Sequence, residues 1–390
     1  MQLKRSGRIS QALAAATCTL LAGGGGSVQA ADSGQLDITD LHYAEEGRIT
    51  VDEQVFSLKR DRKNGRSFTL KLYHDTITGA TPNGAADPAT FTSPSGTPYT
   101  DTLVQIKDER YAVTADWERE LTRLEKVSYG YSYSTELDYD SLGASWKKER
   151  DTSNRMRTYT YGASLNYDLI RAEGGIPTGL APATDTTRYG SDNKVMADFL
   201  AGMTQVINRK TILQLNYSLG LSSGYLTDPY KFISVNDGSA KLQYEKRPNF
   251  RFGNSLYALL IYNHKDNVIR ASYRYYMDDW GILSHTLDLR YRIRMSSRWY
   301  VQPHIRHYSQ SAASFYSYIF YGEYPLTGYA SSDYRLGNIS GLTAGLQVGR
   351  EFTKKFDANV RVEIIQQTDR LDEFAILNAT VAQVSFRYKL

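Results

Sequence analysis

The chain has 390 residues, a formal net charge of +4, a hydrophobic content of 41% and a single cysteine. A helix needs about 20 consecutive apolar residues to cross a bilayer, and no stretch beyond the N-terminus supplies them, so a helical membrane protein is excluded. Tyrosine is the outlier: 31 Tyr stand beside 13 Phe and 10 Pro, and a ring with a polar tip suits the headgroup boundary and aromatic girdles of a membrane barrel.

Residues 1–30 have the features of a secretory signal peptide. Lys4, Arg5 and Arg8 form the charged region, Ala12 to Ala22 the apolar core, and Val28-Gln29-Ala30 a small-residue cleavage site. The Gly23 to Gly26 run and the missing amphipathic period argue against a buried first helix. Ala15-Ala16-Thr17 makes a poor lipobox before Cys18, so that cysteine is expected to leave with the signal. The mature chain, 31–390, then has no thiol, which excludes cysteine catalysis and disulfides. Losing three basic residues and no acidic ones takes the net charge from +4 to +1, and nucleic-acid binding loses its compositional support.

Beyond the signal, runs of about ten residues alternate apolar with polar and end in a turn, as a wall between lipid and an enclosed space requires. Expected strands are 35–44 (weakly patterned), 48–59, 66–76, 107–119, 124–136, 139–149, 155–169, 194–207, 211–221, 254–264, 267–277, 284–295, 298–308, 339–350, 355–365 and 377–390. In the segment from Thr286 to Arg294 one face is Leu287, Leu289, Tyr291 and Ile293, and the other carries Asp288, Arg290, Arg292 and Arg294. Val127, Tyr129, Tyr131 and Tyr133 alternate with Ser128, Gly130, Ser132 and Ser134. Short connections (63–65, 121–123, 208–210, 296–297, 353–354) alternate with long ones (78–106, 170–193, 222–252, 309–338), the arrangement of periplasmic turns and external loops. The fold expected is all-β: one transmembrane antiparallel β-barrel of about sixteen strands in a Gram-negative outer membrane. Fourteen or eighteen strands are also compatible with an even count. No plug domain is expected, so anything blocking the lumen must be an inward-folded loop. The last strand sets Ala382, Val384, Phe386, Tyr388 and Leu390 on one face, like the terminal signal read by the barrel-assembly machinery, with Leu in place of the usual aromatic.

Several loop motifs go beyond pattern. Asp75-Thr76-Ile77-Thr78-Gly79-Ala80-Thr81-Pro82-Asn83-Gly84 follows the third strand, and Gly224-Tyr225-Leu226-Thr227-Asp228-Pro229-Tyr230-Lys231 and Glu245-Lys246-Arg247-Pro248 come later. Tyr273-Arg274-Tyr275-Tyr276-Met277-Asp278-Asp279-Trp280-Gly281-Ile282 precedes Ser284-His285-Thr286, and Arg306-His307-Tyr308-Ser309-Gln310-Ser311-Ala312 closes the set. Over nearly the whole mature chain these motifs resemble the bacterial family of domain of unknown function 3570. Thr78 stands where that family often has Ser, and His307 where it often has an aromatic. The resemblance implies an outer-membrane barrel encoded near thioredoxin-like proteins, a small lipoprotein and a flavin transferase, and supplies no catalytic residues.

The charge distribution over lumen positions is the most informative chemical feature. Strands in 267–308 point Arg270, Arg274, Arg290, Arg292, Arg294, His304 and Arg306 inward against Asp288, while the earlier wall carries Asp116, Glu118, Glu136, Asp168 and Asp198 with Arg110 and Lys147 among them. Opposed walls set a transverse field across a pore, suited to small anionic or zwitterionic solutes. The bland alternative is a lumen packed shut by cross-barrel ion pairs. Asp278, Asp279, Trp280 and His285 could form a ligand site at the outer mouth, although Asp-Asp-Trp-Gly is equally good turn chemistry and weak as a metal motif. Ser284 and His285, as neighbours on a strand, should face opposite ways, and no nucleophile elbow or His-Glu-x-x-His occurs, so no enzyme is expected. A passive channel or binding conduit without metal or cofactor follows. The alternative is a closed scaffold for periplasmic redox or lipoprotein partners.

Overall fold

A computed structural model describes residues 32–84, 103–238, 240–369 and 376–390. The expected signal segment with Cys18, and most of the connection 78–106, lie outside the described residues. The strands in chain order are β1 (Ser33–Glu45), β2 (Ile49–Arg62), β3 (Arg66–Pro82), β4 (Leu103–Thr122), β5 (Glu125–Glu136), β6 (Tyr139–Asp151), β7 (Arg157–Ile170), β8 (Ile176–Pro177), β9 (Arg188–Tyr189), β10 (Asp192–Asn208) and β11 (Thr211–Gly224). They continue as β12 (Phe232–Asn236), β13 (Ala240–Tyr244), β14 (Phe250–His264), β15 (Asn267–Asp278), β16 (Leu283–Arg294), β17 (Trp299–Gln310), β18 (Phe320–Tyr321), β19 (Ser340–Glu351), β20 (Phe356–Thr368) and β21 (Leu377–Lys389).

Sixteen of these close one antiparallel barrel, in the order β1 to β7, β10, β11, β14 to β17, β19, β20 and β21. β21 seals it against β1, with register running from Gln35↔Lys389 to Glu45↔Ala379. Closure leaves no strand edge unpaired, the condition a sheet must meet in hydrocarbon. All sixteen expected strands are present. β3 and β4 run longer than their apolar pattern, because their upper parts carry polar outward pairs: His74 lies 2.7 Å from Glu109, and on β1 and β2 His42 lies 2.7 Å from Asp52.

The burial pattern is inside out relative to a soluble sheet. Leu287, Leu289, Ile305 and Ile364 face outward at 48–56% exposure, while polar Asp168 and Ser234 are fully buried. The apolar surface belongs to lipid, so the molecule is a transmembrane barrel. At the end shared by the termini every connection is short; at the far end 46–48, 137–138 and 279–282 are also short, and 171–191, 225–249 and 311–339 are long.

Inward glycines on β19 make room for larger neighbours. A Cβ on Gly349 would sit 2.2 Å from the Tyr300 ring, whereas one on Gly341 would meet only Gln366 O at 3.6 Å. Gly349→Val is therefore expected to cost about 1–3 kcal/mol and to lower the urea midpoint of the folded barrel, while Gly341→Ala leaves it unchanged. Equal midpoints for the two variants would contradict this packing.

Candidate functional site

Alternation along β15, β16 and β17 delivers a basic wall to the lumen. Arg270 and Arg290 are cross-strand partners, and Arg290 in turn lies opposite His304. Arg270, Arg294 and Arg306 have no acidic partner within ion-pair distance among the described residues. Arg292 lies over the Tyr300 ring at 3.9 Å and donates to Gln302 at 3.2 Å, and Arg290 reaches Asp288 at 3.2 Å. His304 behaves differently from its sequence expectation as a solute-facing base. It is buried, with Nε2 2.7 Å from Asp288 Oδ2 and Nδ1 2.8 Å from Glu363 Oε1. Glu363 was not foreseen, because it sits on β20, beyond the strands whose charges stood out.

β16 and β4 are eight strands apart in a ring of sixteen, so they face each other across the lumen. Asp116 and Glu118 of β4 point inward there. Asp116 has no cation within ion-pair distance among the described residues, and Glu118 lies 3.7 Å from Lys126. Further round, Asp198 accepts from Ser164 at 3.2 Å and Asp168 lies 3.4 Å from Lys194. Glu136 is buried at the top of β5. Arg110 is taken by Asp75, and Lys147 by Glu149 at 3.0 Å.

The loop-mouth residues do not converge. Asp278 Oδ1 accepts from the backbone N–H groups of Trp280 (3.1 Å) and Ile282 (2.9 Å), and its Oδ2 accepts from Tyr276 at 2.9 Å and from Arg251. Asp279 Oδ1 accepts from Phe252 N at 2.9 Å, and Trp280 is buried with its indole N–H on Phe250 O at 2.9 Å. Gly281, at φ +87°, completes a tight turn. His285 faces outward, 2.7 Å from the Tyr273 hydroxyl, because adjacent strand residues point to opposite sides; Ser284 beside it is buried on the lumen face. Among the described residues no group of three or more His, Cys, Asp or Glu could hold a metal.

The long loops fold together over the mouth. β13, β12 and β18 form a small sheet, and bridges Pro182↔Gln243 and Lys246↔Ala330 join loop 171–191 and loop 311–339 to loop 225–249. Ile233, Val235 and Ala330 form a small apolar core within this cap. A buried ionic cluster pins it: Arg247 lies 2.8 Å from Glu245 and 2.7 Å from Asp333, and Arg335 contacts Asp333 and, at 3.2 Å, Asp228. Burial works to raise the Asp333 carboxyl, but Arg335, Arg247 and Lys231 outweigh it and hold it well below the ordinary carboxylate range. Burial lowers the Lys231 ammonium. Beneath the cap a cavity of about 440 Å³ is lined by loop residues such as Asp333 and Leu336 and by wall residues from β1, β10, β15 and β17. Segments 225–228 and 333–339 therefore reach into the barrel mouth.

A family model described as "Protein of unknown function (DUF3570)" matches residues 10–388. The chain belongs to this family. No curated protein matches it in sequence. Among solved structures it is similar to the ferric enterobactin receptor PfeA of Pseudomonas aeruginosa at 9% identity and TM-score 0.45, covering 88% of this chain and 55% of the receptor, so it spans about half that protein's length. It is similar also to OccK3 of Pseudomonas aeruginosa (10% identity, TM-score 0.42, 92% of this chain and 95% of the other) and to the monoaromatic hydrocarbon channel CymD (8%, 0.44, 93% and 90%).

In this DUF3570 member, two of the loop motifs carry the ionic cluster. Gly224 to Lys231 contributes Asp228 and Lys231, and Glu245 to Pro248 contributes Glu245 and Arg247. Their charged residues were the available signal. Asp333 and Arg335 gave none, since an Asp-x-Arg in a polar loop reads as ordinary surface. Tyr276 and Tyr308, which line the cavity, stand in the quoted motifs 273–282 and 306–312, whereas Arg251 falls in the expected connection 222–252 and gave no signal.

Proposed function

We propose that this barrel is a passive channel or binding conduit for small anionic or zwitterionic solutes, closed at its outer mouth by the loop cap. The observation that carries this is the arginine face of β15 to β17, of which Arg290 alone is paired among the described residues, with Asp288, standing across the ring from Asp116 and Glu118. A transverse field of this kind orients and admits anions along one wall. The cap accounts for selectivity of entry, since loops 225–249 and 311–339 must rearrange for a solute to pass. Two supporting expectations belong here: export by cleavage near Ala30, and insertion by the barrel-assembly machinery into outer-membrane lipid.

Planar-bilayer recording under a potassium chloride gradient tests the proposal. The purified protein should pass current with anion preference, and replacing Arg270, Arg290 and Arg292 together by Gln should reduce the anion-to-cation permeability ratio by roughly threefold or more. Absence of current at any voltage, or cation preference in the unmodified protein, would refute it.

The cap itself favours one alternative, a closed barrel serving as an outer-membrane scaffold for a periplasmic redox or lipoprotein partner. Mild detergent extraction that retains a flavin- or haem-carrying partner would support the scaffold; a lone barrel would count against it.

A further inference from the structure

Most charges around the capped cavity are matched by an opposite one. Arg251 pairs with Asp278, Arg247 and Arg335 pair with Asp333, and Lys194 lies 3.4 Å from Asp168. Among the described residues three lining groups are left over. Arg274 donates Nε to Ser255 Oγ at 2.9 Å and meets no carboxylate among the described residues. Arg306 makes no hydrogen bond or ion pair among the described residues. Glu45 of β1, which lines the same cavity at 7% exposure, accepts from the Tyr43 hydroxyl at 2.8 Å through Oε1, and its Oε2 is buried with no partner among the described residues. Arg48 nearby is turned over the Tyr334 ring, 5.5 Å from its centroid, and forms no ion pair with Glu45.

Glu45 is buried and Arg274 half-buried, while Arg306 is exposed to the lumen. A buried charge without a counterpart is costly, so a ligand that neutralises Glu45 and Arg274 is strongly preferred. A simple anion would satisfy Arg274 and Arg306 and leave Glu45 alone; a simple cation would do the reverse. A molecule carrying both an ammonium and a carboxylate satisfies all three. Guanidinium groups match a carboxylate in geometry, and a carboxylate oxygen accepts from an ammonium. The lining also includes apolar and aromatic side chains, among them Met196, Leu226, Trp280, Ile282 and Tyr308. A volume of about 440 Å³ falls within the range of small-molecule sites.

We infer that the capped cavity binds a small zwitterionic amino carboxylate with an apolar side chain, its carboxylate on Arg274 and Arg306 and its ammonium on Glu45. The inference rests on the lumen's preference for anionic or zwitterionic solutes and narrows it to one class. The basic wall continues upward under the cap, where Arg274, Arg306 and Glu45 line one cavity.

Titration calorimetry on the detergent-solubilised barrel tests the site without needing current. The probes are L-phenylalanine, 3-phenylpropionate, which lacks the ammonium, and 2-phenylethylamine, which lacks the carboxylate. L-phenylalanine should bind at least about tenfold more tightly than either analogue, because 3-phenylpropionate leaves the buried Glu45 unmet and 2-phenylethylamine leaves Arg274 and Arg306 unmet. Glu45→Gln should bring L-phenylalanine to the affinity of 3-phenylpropionate, and Arg274→Gln combined with Arg306→Gln should abolish binding of both; retained heat-modifiable gel mobility verifies each barrel. No binding of L-phenylalanine, or binding no tighter than that of 3-phenylpropionate, overturns the site. A barrel that passes no current yet discriminates the three probes would sink the conduit and keep the site. One that conducts anions without discriminating them would do the opposite.

Discussion

Asp333→Ala is expected to open the outer mouth. Asp333 accepts from Arg247 Nη2 at 2.7 Å and from Arg335, and its Oδ1 caps the short helical turn Tyr334–Leu336 through Arg335 N at 3.1 Å. The carboxylate is 1% exposed, so its removal takes a counter-charge from two buried guanidinium groups and leaves the three charges on Arg247, Arg335 and Lys231 facing the two on Glu245 and Asp228. Breaking a buried pair from one side costs about 3–5 kcal/mol, which multiplies an open-to-closed ratio by a factor of about 10² to 4 × 10³. The sixteen-strand ladder does not depend on this residue, so the barrel should persist while the cap loosens. Two signs should appear together: larger single-channel conductance, and faster protease cleavage within 311–339. Removing Arg335 as well should restore part of the closure, because fewer charges are then stranded. Unchanged conductance and cleavage in Asp333→Ala would show that the ionic cluster does not hold the cap.

The second large effect separates the two faces of one strand. Leu289 points to lipid and Arg290, its neighbour on β16, to the lumen. Leu289→Arg should destabilise the folded barrel by about 2–4 kcal/mol if it lies near the bilayer midplane. Arg290→Leu replaces a half-wet lumen cation and should leave the unfolding midpoint close to that of the parent, while weakening anion preference. Both are read by urea unfolding in lipid vesicles. A reversed order of midpoints would mean that the strand's faces have been exchanged, and with them the whole inside-out assignment.

The wall was legible because its rule is local. Each residue on a strand is either toward lipid or toward the lumen, so the alternation of Leu287, Leu289, Tyr291 and Ile293 with Asp288, Arg290, Arg292 and Arg294 fixes both faces. The same rule places Asp116 and Glu118 inside and turns His285 away from Ser284. Strand ends were less legible. The upper parts of β3 and β4 carry His74, Glu109 and other polar outward residues, so the apolar signal stops before the hydrogen bonding does.

The candidate site divides along the same line. Which side chains enter the lumen was set by period two, and Arg270, Arg274, Arg290, Arg292, Arg294, His304 and Arg306 all do so. Which of them stay available depends on neighbours far away in sequence. His304 is taken by Asp288 and by Glu363, which lies 59 residues further on. Arg274 and Glu45 come to one cavity only because the ring closes β21 onto β1.

Sequence alone therefore determined a transmembrane barrel of about sixteen strands with a charged interior, because alternation along a chain is readable one residue at a time; closure at sixteen came from the structure. Tertiary structure decided the rest: the loop cap, the ionic cluster that fastens it, and the unmatched charges beneath. Those depend on which distant segments meet, and burial turns an ordinary loop Asp or Arg into a tightly held pair only after they have met.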